Sequence, residues 1–360
     1  KQAGMKDYKY AEDFFSTGIT AINSLTLSTG NDKAQTYFSY ANTTGKGIID
    51  VNKLQKHNLT LRQTGKFFND RLTLDGNVNL IRQSVKNRPT SGGLYLNPLP
   101  GLYTIPRGMD MSEYTSGEVF DETRLMPRQV WWRSVTDGLE GNPWWLVNRV
   151  TSKDTRTRTI ASLSANLKIN DWFTVQARGT ADYISDRFEQ QMWASTSSVL
   201  TGGDWDLKTD NGRYAYSNRD EFMLYGDVMA MFNKTWNKIS LNAVVGGSIN
   251  STKTNDLSMD SHLASLYRPN VFTPTNIKYK DMASLDGSAE FNSRNVMQSV
   301  FATAQIGYAD AVYLDLTARN DWSSTLYGTK SLGSGFFYPS VGLSWLIHKS
   351  LKLPEWIDFA

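Results

Sequence analysis

From Thr155 onward, apolar and polar side chains alternate with a period of two, in runs of about 10 to 15 residues. Ala161, Leu163, Ala165, Leu167 and Ile169 share one face of such a run, and Ser162, Ser164, Asn166 and Lys168 the other. The next run places Phe173, Val175, Ala177, Gly179, Ala181 and Tyr183 opposite Thr174, Gln176, Arg178, Thr180 and Asp182. Further apolar rows are Phe222 to Phe232, Ile239 to Gly247, Val300 to Tyr308 and Val312 to Ala318, each counted at every second residue. Upstream, Leu72, Leu74, Val78 and Leu80 alternate with Asp75, Asn77 and Asn79. The pattern predicts strands over 155–169, 172–185, 219–233, 238–250, 294–308, 311–320 and 336–347. The gaps between them run short, long, short, long, short, long. A sheet whose long connections all fall on one edge has an orientation, and a transmembrane β-barrel has reason to keep one.

A β-sandwich also alternates, so the membrane reading rests on three additional features. The apolar rows are long, and about 9 to 11 tilted residues are needed to cross the hydrocarbon layer. The opposite rows are uniformly hydrophilic, as a wet or plug-filled lumen requires. Aromatic residues gather beside the short turns at Phe67, Phe68, Trp172, Phe173, Phe232, Trp236, Tyr308 and Trp345, where amphipathic rings suit a membrane interface. The predicted fold class is therefore all-β, an antiparallel transmembrane β-barrel with short periplasmic turns and long extracellular loops. Phe68, Trp172, Phe173, Phe232, Trp236, Tyr308 and Trp345 are its expected interfacial girdle.

Composition agrees with a large folded unit. The 360 residues are 40% hydrophobic and 20% charged, and no apolar run reaches the length of a helical span. With no cysteine there is no disulfide framework and no thiolate metal site. A net charge of +3, with Lys and Arg scattered among Asp and Glu, gives no nucleic-acid signature.

Catalytic chemistry is not indicated. His57, His262 and His348 stand apart, without partners at metal-ligand spacing, and no nucleophile elbow, phosphate loop or zinc-protease motif occurs. The acidic residues Asp204, Asp206 and Asp210 lack the Gly and Glu positions of a calcium loop and read as a solvated loop. No enzyme activity, cofactor or metal is expected. The long connections hold the aromatic residues suited to a ligand or partner: Trp131, Trp132, Trp144 and Trp145 in the proline-rich stretch between Val85 and Thr155, then Trp193, Trp205 and Tyr267. The same rings could instead pack the loops' own cores.

Several segments, in order, resemble one family. Arg319-Asn320-Asp321-Trp322-Ser323-Ser324-Thr325-Leu326, followed by Phe336-Phe337-Tyr338-Pro339-Ser340-Val341-Gly342-Leu343-Ser344-Trp345, resembles the barrel signature of the SusC/RagA-like TonB-dependent outer-membrane transporters of Bacteroidetes. Asp13 to Gly18, Ala34 to Ile49, Val85 to Pro89 and Asn142-Pro143-Trp144-Trp145 with Asn148-Arg149 resemble the same family. The resemblance implies about half of a barrel of roughly 22 strands. Residues 1–15 would lead in from an earlier part and residues 16–360 would form the partial barrel, without plug, TonB box or the last strands. It also implies active import of oligosaccharides or peptides, a SusD-like surface lipoprotein as partner, TonB–ExbB–ExbD as energy source acting through other parts, and outer-membrane lipid around the wall. Asp321 and Trp322 would start an extracellular loop, acting in structure first and ligand contact second. Lys1 follows no leader, and Asp358-Phe359-Ala360 follows a turn where another strand would begin, so the chain is expected to be a central piece of something larger. A passive porin and a surface adhesin or glycan-binding sandwich are the competing classes.

Overall fold

The computed structural model describes residues 6–88, 96–133, 141–197, 210–262, 265–278 and 289–351. Its thirteen strands are β1 Ile19–Gly30, β2 Ala34–Lys46, β3 Lys53–Phe67, β4 Leu72–Lys86, β5 Glu118–Asp121, β6 Met126–Gln129, β7 Val150–Asn170, β8 Phe173–Met192, β9 Arg213–Trp236, β10 Ile239–Asp260, β11 Ala289–Tyr308, β12 Val312–Ser323 and β13 Phe336–Trp345. Eleven of them form one antiparallel meander, in which each strand pairs with its neighbours in chain order. β5 and β6 make a separate hairpin inside the longest connection. The two outermost strands, β1 and β13, each leave one backbone edge without a partner strand among the described residues.

Connections alternate as the pattern predicts. Residues 31–33, 68–71, 171–172, 237–238 and 309–311 turn tightly at one edge, and 87–149, 193–212, 261–288 and 324–335 cross the other. The six residues 47–52 also belong to that second edge, so not every connection there is long. Left-handed backbone makes the tight turns possible at Asn69 (φ 56), Asp70 (φ 64), Asn237 (φ 50) and Asp310 (φ 52), residue types that tolerate it.

The strands are longer than the alternation predicts, and the extra length lies on the long-loop side. β7 starts at 150 rather than 155, β8 runs to 192 rather than 185, β9 starts at 213 rather than 219, and β10 reaches 260 rather than 250. Beyond the apolar band both faces are polar, so the period-two contrast fades while backbone pairing continues. β13 ends at Trp345, two residues early, because Ile347–Ser350 winds into one helical turn.

Register assembles the apolar rows into one outer surface. Leu74, Ala165, Ala177, Val228, Gly247 and Val300 lie side by side across six strands, and Leu72, Leu167, Val175, Ala230, Val245 and Ala302 form the parallel row. Many of these residues are open to the surroundings, Val300 by 53% and Val245 by 50%. Phe173 pairs with Phe232, and ten residues further along the same two strands Tyr183 pairs with Phe222. Ten residues cover about 33 Å of strand, or about 25 Å of height at a tilt near 40°, which is the thickness of a barrel's apolar band. The apolar rows therefore lie between two aromatic rungs.

Most buried apolar side chains lie in the long connections and the strand ends beside them, whereas the wall itself buries polar ones such as Asp182, Asp227 and Ser299. Leu102, Met111, Met126, Trp145, Leu146, Met192, Leu266 and Ile277 are all at most 5% exposed. Adjacent residues in β10 test which face meets lipid. Val245→Arg, in mid-band, should cost the barrel about 2–4 kcal/mol in a denaturant titration in lipid. Val244→Arg, on the polar face, should cost much less.

Candidate functional site

Two regions carry chemistry: the polar face of the sheet and the cluster of connections at its long-loop edge. On the polar face arginines and carboxylates alternate across strands. Arg156 donates to both oxygens of Asp186 (2.6 and 2.7 Å), and Arg158 reaches Asp182 with Nε at 2.9 Å and Nη2 at 2.5 Å. Arg178 lies 3.1 Å from Asp227, Arg62 2.8 Å from Asp75, and Arg319 joins Asp321 (2.8 Å) to Ser299 (2.9 Å). The side chain of Asp227 is 0% exposed and that of Asp182 5%, while their arginines are 45% and 35% exposed. Guanidinium groups thus cover the carboxylates and present N–H donors to the interior. Half-exposed pairs of this kind contribute little stability, on the order of 0–1 kcal/mol each. Their effect is to hold the arginines at fixed positions along the wall.

The connections at the long-loop edge knit into one hydrogen-bonded unit. The stretch 96–149 is not irregular, as its proline content suggests. It contains helix α2 (Pro98–Tyr103), the β5–β6 hairpin and helix α3 (Pro143–Arg149), α1 being the single turn Tyr10–Asp13 before β1. Asn142 caps α3, its Oδ1 accepting from the amides of Trp144 (2.9 Å) and Trp145 (3.3 Å), with Pro143 as the first helical residue. Its Nδ2 donates to the carbonyls of Tyr114 and Val130. Gln129 joins this segment to the β8–β9 connection. Its amide and Nε2 donate to Ser195 Oγ (2.7 Å), Ser195 O (2.8 Å) and Thr196 O (3.1 Å), and its Oε1 accepts from the Asn142 amide. Asn270 brings in the β10–β11 connection, accepting from the Ala194 amide at 2.7 Å. Asp210, read from sequence as solvated, is fully buried and accepts from the amides of Ser195 and Gly212. A carboxylate is kept there because two backbone donors compensate its desolvation.

Of the aromatic candidates, Trp131, Trp132 and Trp144 come together. Trp131 packs edge-on to Tyr114 at 6.1 Å and lies 6.4 and 6.5 Å from Trp132 and Trp144. Trp144 also meets Tyr10 and Phe14 edge-on, and Arg133 stacks on Trp132 at 4.5 Å. Trp145 is 1% exposed and donates its indole N–H to Thr196 Oγ1 at 3.0 Å, so it packs the loop core and offers no surface to a ligand. Trp193 lies under Arg149 (4.2 Å) and beside Phe272. Tyr267 is exposed, with Lys278 over its ring, and Trp205 lies outside the described residues. Asp321 and Trp322 belong to the end of β12 rather than to a loop, and strand alternation splits them. Asp321 joins the inner arginine array, while Trp322 pairs with Gln298 on the outer face, in the row of Ile249, Gly226 and Gly179. The lower rung holds Trp172, Phe173 and Phe232 as one stack, with Lys234 over Trp172. Phe68, Trp236, Tyr308 and Trp345 lie exposed along the same short-turn edge. Among the described residues no three metal-ligating side chains come together.

The segment before β1 is clasped onto this unit. Tyr8 and Tyr10 both donate to Asp110 at 3.0 Å, Asp110 accepts from the Ser112 amide, and the Tyr10 hydroxyl accepts from the Met111 amide. Hydrogen bonds, that from the Ser112 amide foremost, lower the Asp110 carboxyl from its ordinary 3.8 to about 2.

No family model matches the chain, and no curated protein matches it. Solved structures do. The RagAB peptide transporter superposes with a TM-score of 0.68 at 15% identity, covering 95% of this chain and 36% of that one. The RagAB peptide importer in its open-open state gives 0.69 at 15%, covering 96% and 36%. The unliganded ferric citrate transporter FecA gives 0.51 at 10%, covering 91% and 38%. The chain therefore spans a little over a third of the length of these structures. It has the fold of part of the barrels of the RagAB transporter and FecA.

Two expectations follow for the loop unit. Gln129→Leu leaves the Ser195 and Thr196 carbonyls and the Asn142 amide without their partner, at about 1–3 kcal/mol for each group that stays buried. Hydrogen exchange should then accelerate in 141–149 and 193–197 while the strands keep their protection. A carboxyl lowered on folding contributes stability above its unfolded value, lost as pH falls through the folded one. The Tyr8–Tyr10 clasp should therefore hold at neutral pH and loosen from about pH 4 down to about 2, followed by Trp144 fluorescence, with Asp110→Asn loosened throughout.

Proposed function

We propose that this chain forms wall and surface loops of an active outer-membrane importer for oligosaccharides or peptides. The importer is energised through TonB–ExbB–ExbD and works with a SusD-like surface lipoprotein. The observation that carries the reading is the joining of three long connections into one hydrogen-bonded unit at a single edge of an oriented wall. A passive pore needs an open rim, whereas a built platform suits capture of solute and docking of a lid. The short turns then face the periplasm and the long connections face outward. Trp132, Trp144 and Tyr267, with the buried Trp131 packed behind the first two, are the residues of this platform through which contact with substrate or lipoprotein is made.

The inner face supports a polar, acceptor-rich cargo. Guanidinium donors backed by carboxylates complement peptide carbonyls and sugar hydroxyls alike. The unpaired edges of β1 and β13 call for further strands of the same barrel, because an open sheet edge is not tolerated in lipid.

Energy dependence separates this reading from a passive porin. Uptake of labelled oligopeptide or oligosaccharide by cells making the protein should stop when the proton-motive force is collapsed. Uptake that continues down its gradient would make the protein a porin.

A further inference from the structure

One cavity lies apart from both the aromatic cluster and the arginine array. It sits where β4, β7 and β8 meet the folded-in connection 87–149, has a volume of about 120 Å³, and is lined from 49–52, 87–88, 96–99 and 146–152 together with Gln190. Ser152 and Gln190 pair in register, each an even number of residues from Arg156 or Asp186, so the cavity opens on the inner face of the wall. Its frame is held by asparagines. Asn87, just past β4, takes the left-handed region (φ 49) and turns the chain off the sheet. Its Oδ1 accepts from the Ser152 amide at 2.9 Å and its Nδ2 donates to the Val51 carbonyl at 3.2 Å, tying the wall to the 47–52 connection. Asn97 caps α2, accepting from the Leu99 amide at 3.0 Å.

The lining divides into two kinds of chemistry. Ile49, Val51, Leu96, Leu146, Val147 and Val150 supply branched aliphatic side chains, and none of the lining residues is aromatic. The side chains of Asn52, Ser152 and Gln190, which also line it, make no hydrogen bond to another described residue. Arg88 is paired with Asp154 at 3.4 Å, so the cavity calls for no counter-ion. An apolar cavity with a few free polar groups at its side is the usual form of a small-ligand site.

The group that fits is neutral, with an aliphatic body and both a donor and an acceptor beside it. The space equals roughly four waters at ~30 Å³ each, enough for one branched side chain. The N–H and C=O of a peptide unit then match the carboxamides, which donate and accept. A sugar fits poorly, because its hydroxyls would be buried against aliphatic walls without partners and no flat ring is present for it to stack on. We propose that this cavity is a subsite for one leucine- or isoleucine-like residue of a peptide cargo. The proposal rests on the importer reading given above and narrows its cargo to the peptide. Ser152 and Gln190 lie four residues beyond Arg156 and Asp186 on the same face, about 13 Å along the strands, so the residues that follow the seated one pass over the arginine array.

Calorimetric titration of the full-length protein that contains this chain, in detergent and without an energised membrane, provides the test. The probes are the peptides Gly-Ser-Leu-Ser-Gly and Gly-Ser-Ala-Ser-Gly and the neutral sugar maltotetraose. The Leu peptide should bind at least about tenfold more tightly than the Ala peptide, and maltotetraose should not displace it. Val51→Phe and, independently, Val147→Phe fill the cavity and should erase the difference between the two peptides, with heat-modifiable gel migration unchanged. Equal affinity for the peptides, no binding of either, displacement by maltotetraose, or a preference that survives both variants would each overturn the proposal. The importer reading fails separately, on uptake that outlasts collapse of the proton-motive force, whichever way the titration falls.

Discussion

The structure depends on a continuous backbone ladder. Ten strand pairings, in chain order among the eleven wall strands, satisfy the amides and carbonyls between those strands without help from solvent, the condition for a β-structure to exist in lipid. Once that ladder is set, the pleat sends every second side chain outward. The apolar rows, the aromatic rungs and the arginine array are then consequences of register. A slip of one residue in β8 would turn Arg178 and Asp182 into the hydrocarbon and bring Val175 and Ala177 into the lumen. The large energetic difference between those arrangements is why such long strands hold a single alignment.

Where the ladder ends, a different kind of stability takes over. The wall is one layer thick, and the buried apolar side chains collect mostly in the connections at one edge and the strand ends beside them. Gln129, Asn142, Asp210 and Asn270 direct side-chain hydrogen bonds to backbone groups of their own or a neighbouring connection. Polar residues of that kind replace secondary structure as the means of satisfying buried loop backbone. They also fix the aromatic cluster in place. Tyr10 and Phe14, from before the first strand, close against Trp144 from the middle of the chain.

The two faces of the wall treat charge in opposite ways. On the inner face each arginine covers a carboxylate, giving a surface that is nearly neutral yet rich in donors. On the outer face above the apolar band, Lys53, Lys86 and Lys153 stand side by side in a rung that continues to Glu189. Alternation makes this separation possible within one strand: Arg156 faces inward and Lys153 outward, three residues apart.

For β4 and for β7 to β13, strand existence, facing and the direction of the wall were legible in the chain by itself, because they follow from a period-two pattern and from loop lengths, which are properties of local order along the sequence; β1 to β3 and the β5–β6 hairpin were not. The apolar stretches of 161–169 and 173–183 needed no partner to reveal their inner and outer sides. Strand length was legible only as far as the faces differ, and so β8 and β10 run past their predicted ends. The site was less accessible. Trp131, Trp132 and Trp144 could be singled out by type, but their assembly with Tyr10, and the burial of Trp145 within the same motif, depend on contacts between residues far apart in the chain. The same is true of the Arg–Asp pairs, such as Arg178 with Asp227, and of the lysine rung. Register between strands placed those charges side by side, and register is a tertiary property, set by the packing of whole faces rather than by any one segment.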